Sequence, residues 1–253
     1  MVNKNDIFTV DIIDIGTNGE GIAKLEDGYT LFIKDAVVGD RAVVKIMKTT
    51  KSYAYARLME VSEPSPFRVE PKCPVAKQCG GCQIQEIAYA KQLEFKENKV
   101  KNNIMRIGGI KEFDMLPIIG MDKPWEYRNK AQFPVGMSKD GRVISGFYAG
   151  RTHSIIECDT CDIGIEENSR IMSIVKKYMI ENGISAYDEE SGKGVVRHVL
   201  IRKGFSTGQI MVCVVINGDK LKCSEKLATK LLEIEGIDEA AIELIRDKIT
   251  FVN

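Results

Sequence analysis

The sequence predicts a mainly β start followed by an α+β region, and three observations carry that prediction. The first sixty residues hold five short apolar runs separated by glycine- and aspartate-bearing turns, the pattern of an OB-like barrel. A proline-broken stretch at 61–66 then disfavours regular structure, because each proline and the residue before it resist helix. Beyond it, runs of helical period alternate with strand-like runs, which suits a sheet with helices packed on one face. The chain of 253 residues is long enough for one large or two modest domains with a real core.

Element by element, strands are expected at 6–14, 21–25, 29–33, 41–47 and 53–58, with turns at 16–21, 27–28 and 38–40. This barrel fills residues 1–62, and residues 63–85 read as a linker with a cysteine-rich loop. Lys45, Lys48, Lys51 and Arg57 follow one another with no acid between them. Alternation puts Tyr53, Tyr55 and Arg57 on one face of the last strand, with Ala54, Ala56 and Leu58 on the other. Two aromatics beside an arginine suit base stacking and phosphate neutralisation. The plainer reading is that the tyrosines cover the barrel and the bases are solvated.

Residues 86–124 form a helical segment, with a helix over 86–107 that lines up Leu93, Val100, Ile104 and Ile107 and stops at Gly108-Gly109. The α+β region spans 125–253. It opens with a hairpin, strands 126–137 and 142–149 around a turn at 138–141, and a third strand is expected over 151–156. A helix over 166–182 turns Ile171, Ile174, Val175 and Met179 inward before Gly183. Strands at 195–202 and 209–216 and a helix over 220–234 complete a mixed or antiparallel sheet. If 126–133 is a strand, Arg128 and Lys130 share a face. These two and Arg197 are the candidate anion contacts, since a guanidinium fork matches phosphate. Arg202 reads as an ordinary exposed strand residue. His153 and His198 are too far apart in sequence to imply a dyad.

The sharpest motif is Cys73-Pro-Val-Ala-Lys-Gln-Cys79-Gly-Gly-Cys82, three soft ligands on one glycine-bearing loop, followed later by Cys158-Asp-Thr-Cys161. Cys213 lies in an apolar β-branched run and reads as core, and Cys223 falls in a helical pattern. A structural zinc would use Cys79, Cys82, Cys158 and Cys161 as two knuckles, but leaves Cys73 unexplained. A four-iron cluster would use Cys73, Cys79, Cys82 and one distant cysteine. An odd count of seven cysteines and no signal peptide make disulfides the weakest reading. Spacing alone leaves zinc and cluster level.

Equal numbers of basic and acidic residues, 36 each, remove any bulk polycationic signal, so nucleic-acid affinity must come from local patches. No apolar run approaches the ~18 residues of a membrane span. A cytoplasmic monomer without membrane contact is expected.

The stretches Ser65-Pro-Phe-Arg68 to Cys73, Cys79-Gly-Gly-Cys82-Gln-Ile-Gln85, Trp125-Glu-Tyr127-Arg128-Asn129-Lys130, Gly146-Phe147-Tyr148 and His153 to Cys161 resemble the RNA (uracil-5-)-methyltransferases. These enzymes modify 23S ribosomal RNA or transfer RNA with S-adenosylmethionine. The resemblance runs from the start to roughly residue 215. It implies that the barrel is a TRAM domain and that Cys73, Cys79, Cys82 and Cys161 hold a 4Fe-4S cluster, in an α+β iron–sulfur domain. RNA is then the partner, ribosomal rather than transfer RNA, with Lys48, Lys51, Tyr53, Tyr55, Arg57, Arg128, Lys130 and Arg197 as contacts. In the family the helix over 86–107 can pack against the catalytic domain. That domain is Rossmann-like, with a glycine-rich cofactor turn and a nucleophilic cysteine, and no G-x-G turn of that kind is found here. The expectation is therefore an RNA-recognition portion, with the methyltransferase domain absent, inactive alone and presenting a uridine to a catalytic domain. A stand-alone RNA-binding module and a zinc-stabilised scaffold are the alternatives.

Overall fold

The computed structural model describes residues 2–150, 152–158, 160–238 and 242–246. The chain divides into two compact units, Met1–Lys77 with Cys82–Asp122, and Gln78–Gly81 with Lys123–Asn253.

In the first unit, β1 (Ile7–Asp11), β2 (Asp14–Ile15), β3 (Gly21–Lys24), β4 (Thr30–Lys34), β5 (Arg41–Thr49) and β6 (Tyr53–Glu63) form one sheet in the order β1-β5-β6-β4-β3-β2. Only β4 and β6 run parallel; every other pairing is antiparallel. Alternation buries Ala23, Leu31, Ile33, Ala42, Val44, Ile46 and Ala54 completely. Alanines set among branched residues give the small–large mix that lets a narrow barrel fill. β5 and β6 outrun the expected strands, because their polar ends pair with each other through three register shifts.

The stretch after β6 is anchored rather than loose. Ser65 N–H and Val37 N–H donate to the buried Asp40 at 2.9 and 2.7 Å, and Ser65 Oγ donates to the Val38 carbonyl at 2.6 Å. Helix α1 (Tyr89–Arg106) follows, shorter at its start than expected. It ends as expected, with Gly109 in the left-handed region at φ 69° and Ile110 N–H bonded to the Ile104 carbonyl. The expected apolar row is left uncovered: no α1 residue is buried, and Val100 and Ile107 are half or more exposed. Phe95 alone joins a small cluster with Ile15, Val37 and Ile87.

The second unit holds β7 (Lys130–Met137), β8 (Val143–Tyr148), β9 (Ile155–Glu157), β10 (Val196–Lys203), β11 (Ile210–Ile216) and β12 (Ile242–Arg246) in the order β12-β11-β10-β7-β8-β9. The sheet is mixed: β12 runs parallel to β11 and the rest are antiparallel. Helices α2 (Glu167–Asn182) and α3 (Ser224–Leu231) share a core with Phe133, Val135, Val199, Ile201, Val212 and Val214. Cys213 is fully buried, as its apolar run implied.

Four local expectations are corrected. Residues 126–129 are not strand, because Glu126 sits at φ 56°, so β7 starts at Lys130. The strand expected over 151–156 is Ile155–Glu157, and Arg151 lies outside the described residues. Cys223 is not helical: at φ 56° it is the residue before α3, which therefore starts late. β12 was not expected at all.

The cysteine-rich loop is divided between the two units. Its residues 78–81 belong to the second unit and the residues on either side to the first. Among the described residues, no helix is long and apolar enough to cross a membrane.

Candidate functional site

The first unit concentrates charge and rings on one face. Across β4, β6 and β5, Lys34, Arg57 and Lys45 stand in one register row, three cations side by side. Like charges placed directly opposite destabilise a sheet, although Lys34 also donates to the Lys77 carbonyl at 3.1 Å and lies 3.9 Å from Asp35 Oδ2. One step along, Phe32 pairs with Tyr55, and Tyr55 with Lys48 across a bulge. Phe32, Tyr53 and Tyr55 form a ring cluster with centroids 5.5, 5.9 and 5.6 Å apart. Tyr55 keeps 39% of its surface exposed and Arg57, Lys48 and Lys51 are exposed. The structure thus brings Lys48, Tyr53, Tyr55 and Arg57 onto one surface, with Lys51 in the turn before β6. Sequence reasoning missed Phe32 and Lys34. Alternation about Leu31 and Ile33 marked them as outward, but the parallel β4–β6 pairing that sets them beside Tyr55 and Arg57 left no local signal.

In the second unit the three expected anion contacts part company. Lys130 is exposed on β7. Arg128 lies off the sheet, bridged to Gly164, with its N–H bonded to the Ile163 carbonyl at 2.8 Å. Arg197 holds Glu189 through two bonds, Nε–Oε1 at 2.9 Å and Nη2–Oε2 at 3.1 Å, and lies 5.1 Å over the Tyr187 ring.

The cysteine loop packs closely where its glycines allow it. Cys79 pairs with Ala149, and Gly80 N–H donates to the Tyr148 carbonyl at 3.0 Å. A Cβ on Gly80 would stand 3.1 Å from both Gly150 Cα and the Tyr148 oxygen, so a side chain there would force its neighbours to give by a few tenths of an ångström. A Cβ on Gly81 would meet Cys79 Sγ at 3.3 Å and Arg128 Nη1 at 3.8 Å, which puts the Arg128 cation beside this loop.

Cys73 and Cys82 belong to the first unit, Cys79 and Cys161 to the second, so neither unit alone carries the full expected ligand set. Among the described residues, no three His, Cys, Asp or Glu side chains are grouped to hold a metal ion. Gly81 N–H points at Cys79 Sγ at 3.3 Å and Gln85 Nε2 at Cys82 Sγ at 3.1 Å. Gln85 Oε1 also accepts from Cys73 N–H at 3.3 Å. Cys161 lines a cavity of about 160 Å³ with Asn168, whose buried carboxamide has no protein partner at either end. Cys158 instead directs its thiol to the Thr160 carbonyl at 2.6 Å.

Comparison with known proteins bears on these surfaces. Residues 2–59 match the TRAM domain family. The chain is 45% identical over 230 residues to an uncharacterized RNA methyltransferase of Halalkalibacterium halodurans, covering 91% of this chain and 50% of that protein. An uncharacterized RNA methyltransferase of Clostridium acetobutylicum is 42% identical over 254 residues, 99% of this chain and 55% of its own length. The chain therefore spans about half the length of the curated relatives it matches. The likeness also continues past residue 215, where the resemblance was expected to stop.

Among solved structures, the Pyrococcus abyssi tRNA (uracil-54, C5)-methyltransferase in complex with S-adenosyl-L-homocysteine matches 87% of this chain and 48% of its own, with TM-score 0.66 and 22% identity. That likeness is one of fold. It overturns the expected fold class, a recognition portion with an iron–sulfur domain and the methyltransferase domain absent. An α+β fold is shared with that structure over most of the chain.

Proposed function

We propose that this chain belongs to an S-adenosylmethionine-dependent RNA (uracil-5-)-methyltransferase and that its charged, aromatic faces bind the RNA substrate. The observation that carries the reading is the Lys34–Arg57–Lys45 row beside the Phe32, Tyr53 and Tyr55 rings. A row of cations that costs the sheet stability is repaid when phosphates lie over it, and adjacent rings take up unpaired bases. Lys48, Lys51, Tyr53, Tyr55 and Arg57 contact RNA from the first unit, and Arg128, Lys130 and Arg197 from the second. Arg197 reaches a phosphate only by giving up part of its Glu189 pair. The RNA is ribosomal, and a uridine is unstacked for methylation. Because the chain spans about half of its relatives' length, methyl transfer is proposed for the protein as a whole.

In this reading Cys73, Cys79, Cys82 and Cys161 hold a 4Fe-4S cluster. Four thiolates leave no open iron position, so the group supplies a structural tie between loops rather than chemistry. The N–H donors at Cys79 and Cys82 and the unpartnered Asn168 beside Cys161 support that assignment, as does the Cys158 thiol turned to a carbonyl. The unburied α1 and the exposed Leu116 and Ile119 behind it suit a further contact surface.

The test is nucleoside mass spectrometry on RNA from cells lacking the coding sequence. Loss of 5-methyluridine from 23S ribosomal RNA, with transfer RNA unchanged, is the expected outcome. Unchanged 5-methyluridine in every RNA would overturn the reading.

A further inference from the structure

We infer that the face of the second unit's sheet turned away from α2 and α3 is a platform for single-stranded RNA, built on Lys130, Arg202, Gln132, Tyr148 and His198. The inference rests on the RNA reading above and joins Lys130, already a candidate contact, to Arg202, Gln132, Tyr148 and His198, which sequence reasoning did not assign to RNA.

Register defines the face. Arg202 pairs with Lys130, Leu200 with Gln132 and His198 with Pro134 across β10 and β7, and directly paired residues point to the same side. Their sequence neighbours Ala131, Phe133, Val199 and Ile201 point the other way, into the core shared with α2 and α3. On the first side Lys130, Gln132 and Arg202 are exposed, His198, Leu200 and Met211 are half-buried, and Pro134 and Cys213 are buried.

Two cations meet on this face. Lys130 and Arg202 stand opposite each other on two interior strands, an arrangement that costs stability. Among the described residues neither has an acid partner. The other two cations of β10 differ: Arg197 holds Glu189, and Lys203 is paired with Glu167. One strand thus pairs two of its cations and leaves the third beside another cation, which fits a bound polyanion.

Rings supply the second half of the platform. The chain has two histidines, and both meet Tyr148. Tyr148 Oη lies 3.3 Å from His198 Nε2, and the His153 ring stands edge-on to Tyr148 at 5.3 Å and 70°. His198 is four residues from Arg202 along β10, ~13 Å at strand rise, so one strand of RNA reaches both ends. Unpaired bases stack on such rings and show their edges to a carboxamide such as that of Gln132, whereas duplex RNA offers mainly phosphates and 2′-hydroxyls.

The test is fluorescence anisotropy of the chain with a labelled single-stranded RNA across a salt series, for wild type and Lys130→Gln/Arg202→Gln. Removing two phosphate contacts should weaken binding on the order of 20-fold at 0.1 M salt and flatten the log–log salt slope by about 1.4. The thermal midpoint should hold or rise, because the repulsion is relieved. Tyr148→Ala should weaken binding with the slope unchanged, and duplex RNA should compete poorly. Equal affinity and slope in the double variant, or equal competition by duplex, overturns the platform while leaving RNA binding by the first unit intact. No RNA binding by wild type would sink the broader reading itself.

Discussion

Arg68 clamps the buried Asp40, with Nη2 2.6 Å from Oδ2 and Nε 3.1 Å from Oδ1. Arg68 Nη2 also donates to the Asp35 carbonyl at 2.9 Å, so one guanidinium ties the chain after β6 to the loop before β5. Removing one partner of a buried pair leaves the other uncompensated, and Asp40→Ala should cost about 3–5 kcal/mol in chemical denaturation of the first unit. A loss below about 1 kcal/mol, the size of an exposed pair, would contradict the account.

The same site sets an acid limit. Burial alone would raise the Asp40 carboxyl, but Arg68 and the Ser65 and Val37 N–H groups outweigh it and hold the group below its ordinary 3.8. A depressed carboxylate stabilises the fold fully above its unfolded value and loses that contribution as pH falls through the folded one. Stability from this clamp should therefore be flat from neutral pH to about 4 and fall below it. The measurement is thermal unfolding against pH, with Asp40→Asn lacking that limb.

Glu86 behaves in the opposite sense. It is 5% exposed, and burial pushes its carboxyl above the ordinary 4.5, with Asp35 adding to the rise and Arg68 opposing it. A raised carboxyl penalises the fold when ionised, and the penalty fades as pH drops through the folded value. Glu86→Gln should raise the thermal midpoint at pH 7 and make no difference below 4.5. A variant less stable than wild type at pH 7 would show that the charge is needed.

How far the sequence reached follows from what is local. Alternation about Ala54 and Ala56 was enough to place Tyr53, Tyr55 and Arg57 outward, because strand faces have period two. The stop of α1 was legible in Gly108-Gly109 for the same local reason. Phe32, Lys34 and the Lys130–Arg202 pair depended on which strands neighbour which, and no short window carries that. Glu126 and Cys223 delayed the starts of β7 and α3 by adopting positive φ without being glycine, so the usual turn signal was missing. The row on α1 had good helical spacing, but spacing does not say whether anything covers it.

The cluster assignment separates two cysteines that lie three residues apart. Cys161→Ala should lose bound iron in protein purified without oxygen, and Cys158→Ala should keep about four iron and four sulfide per chain. Gly80→Ala, which forces its Cβ against Gly150 and the Tyr148 carbonyl, should also retain less iron than wild type. The reverse pattern for the two cysteines, or one zinc and no iron, would contradict the ligand set.

The central claim is that the ring cluster and cation row of the first unit hold single-stranded RNA, and its most direct test is an affinity measurement on Tyr55→Ala and Phe32→Ala across a salt series. Each stacked base lost should cost ~1–3 kcal/mol, about 5- to 150-fold in Kd, with the salt slope unchanged. Wild-type affinity in both variants, or binding that ignores salt, would contradict it.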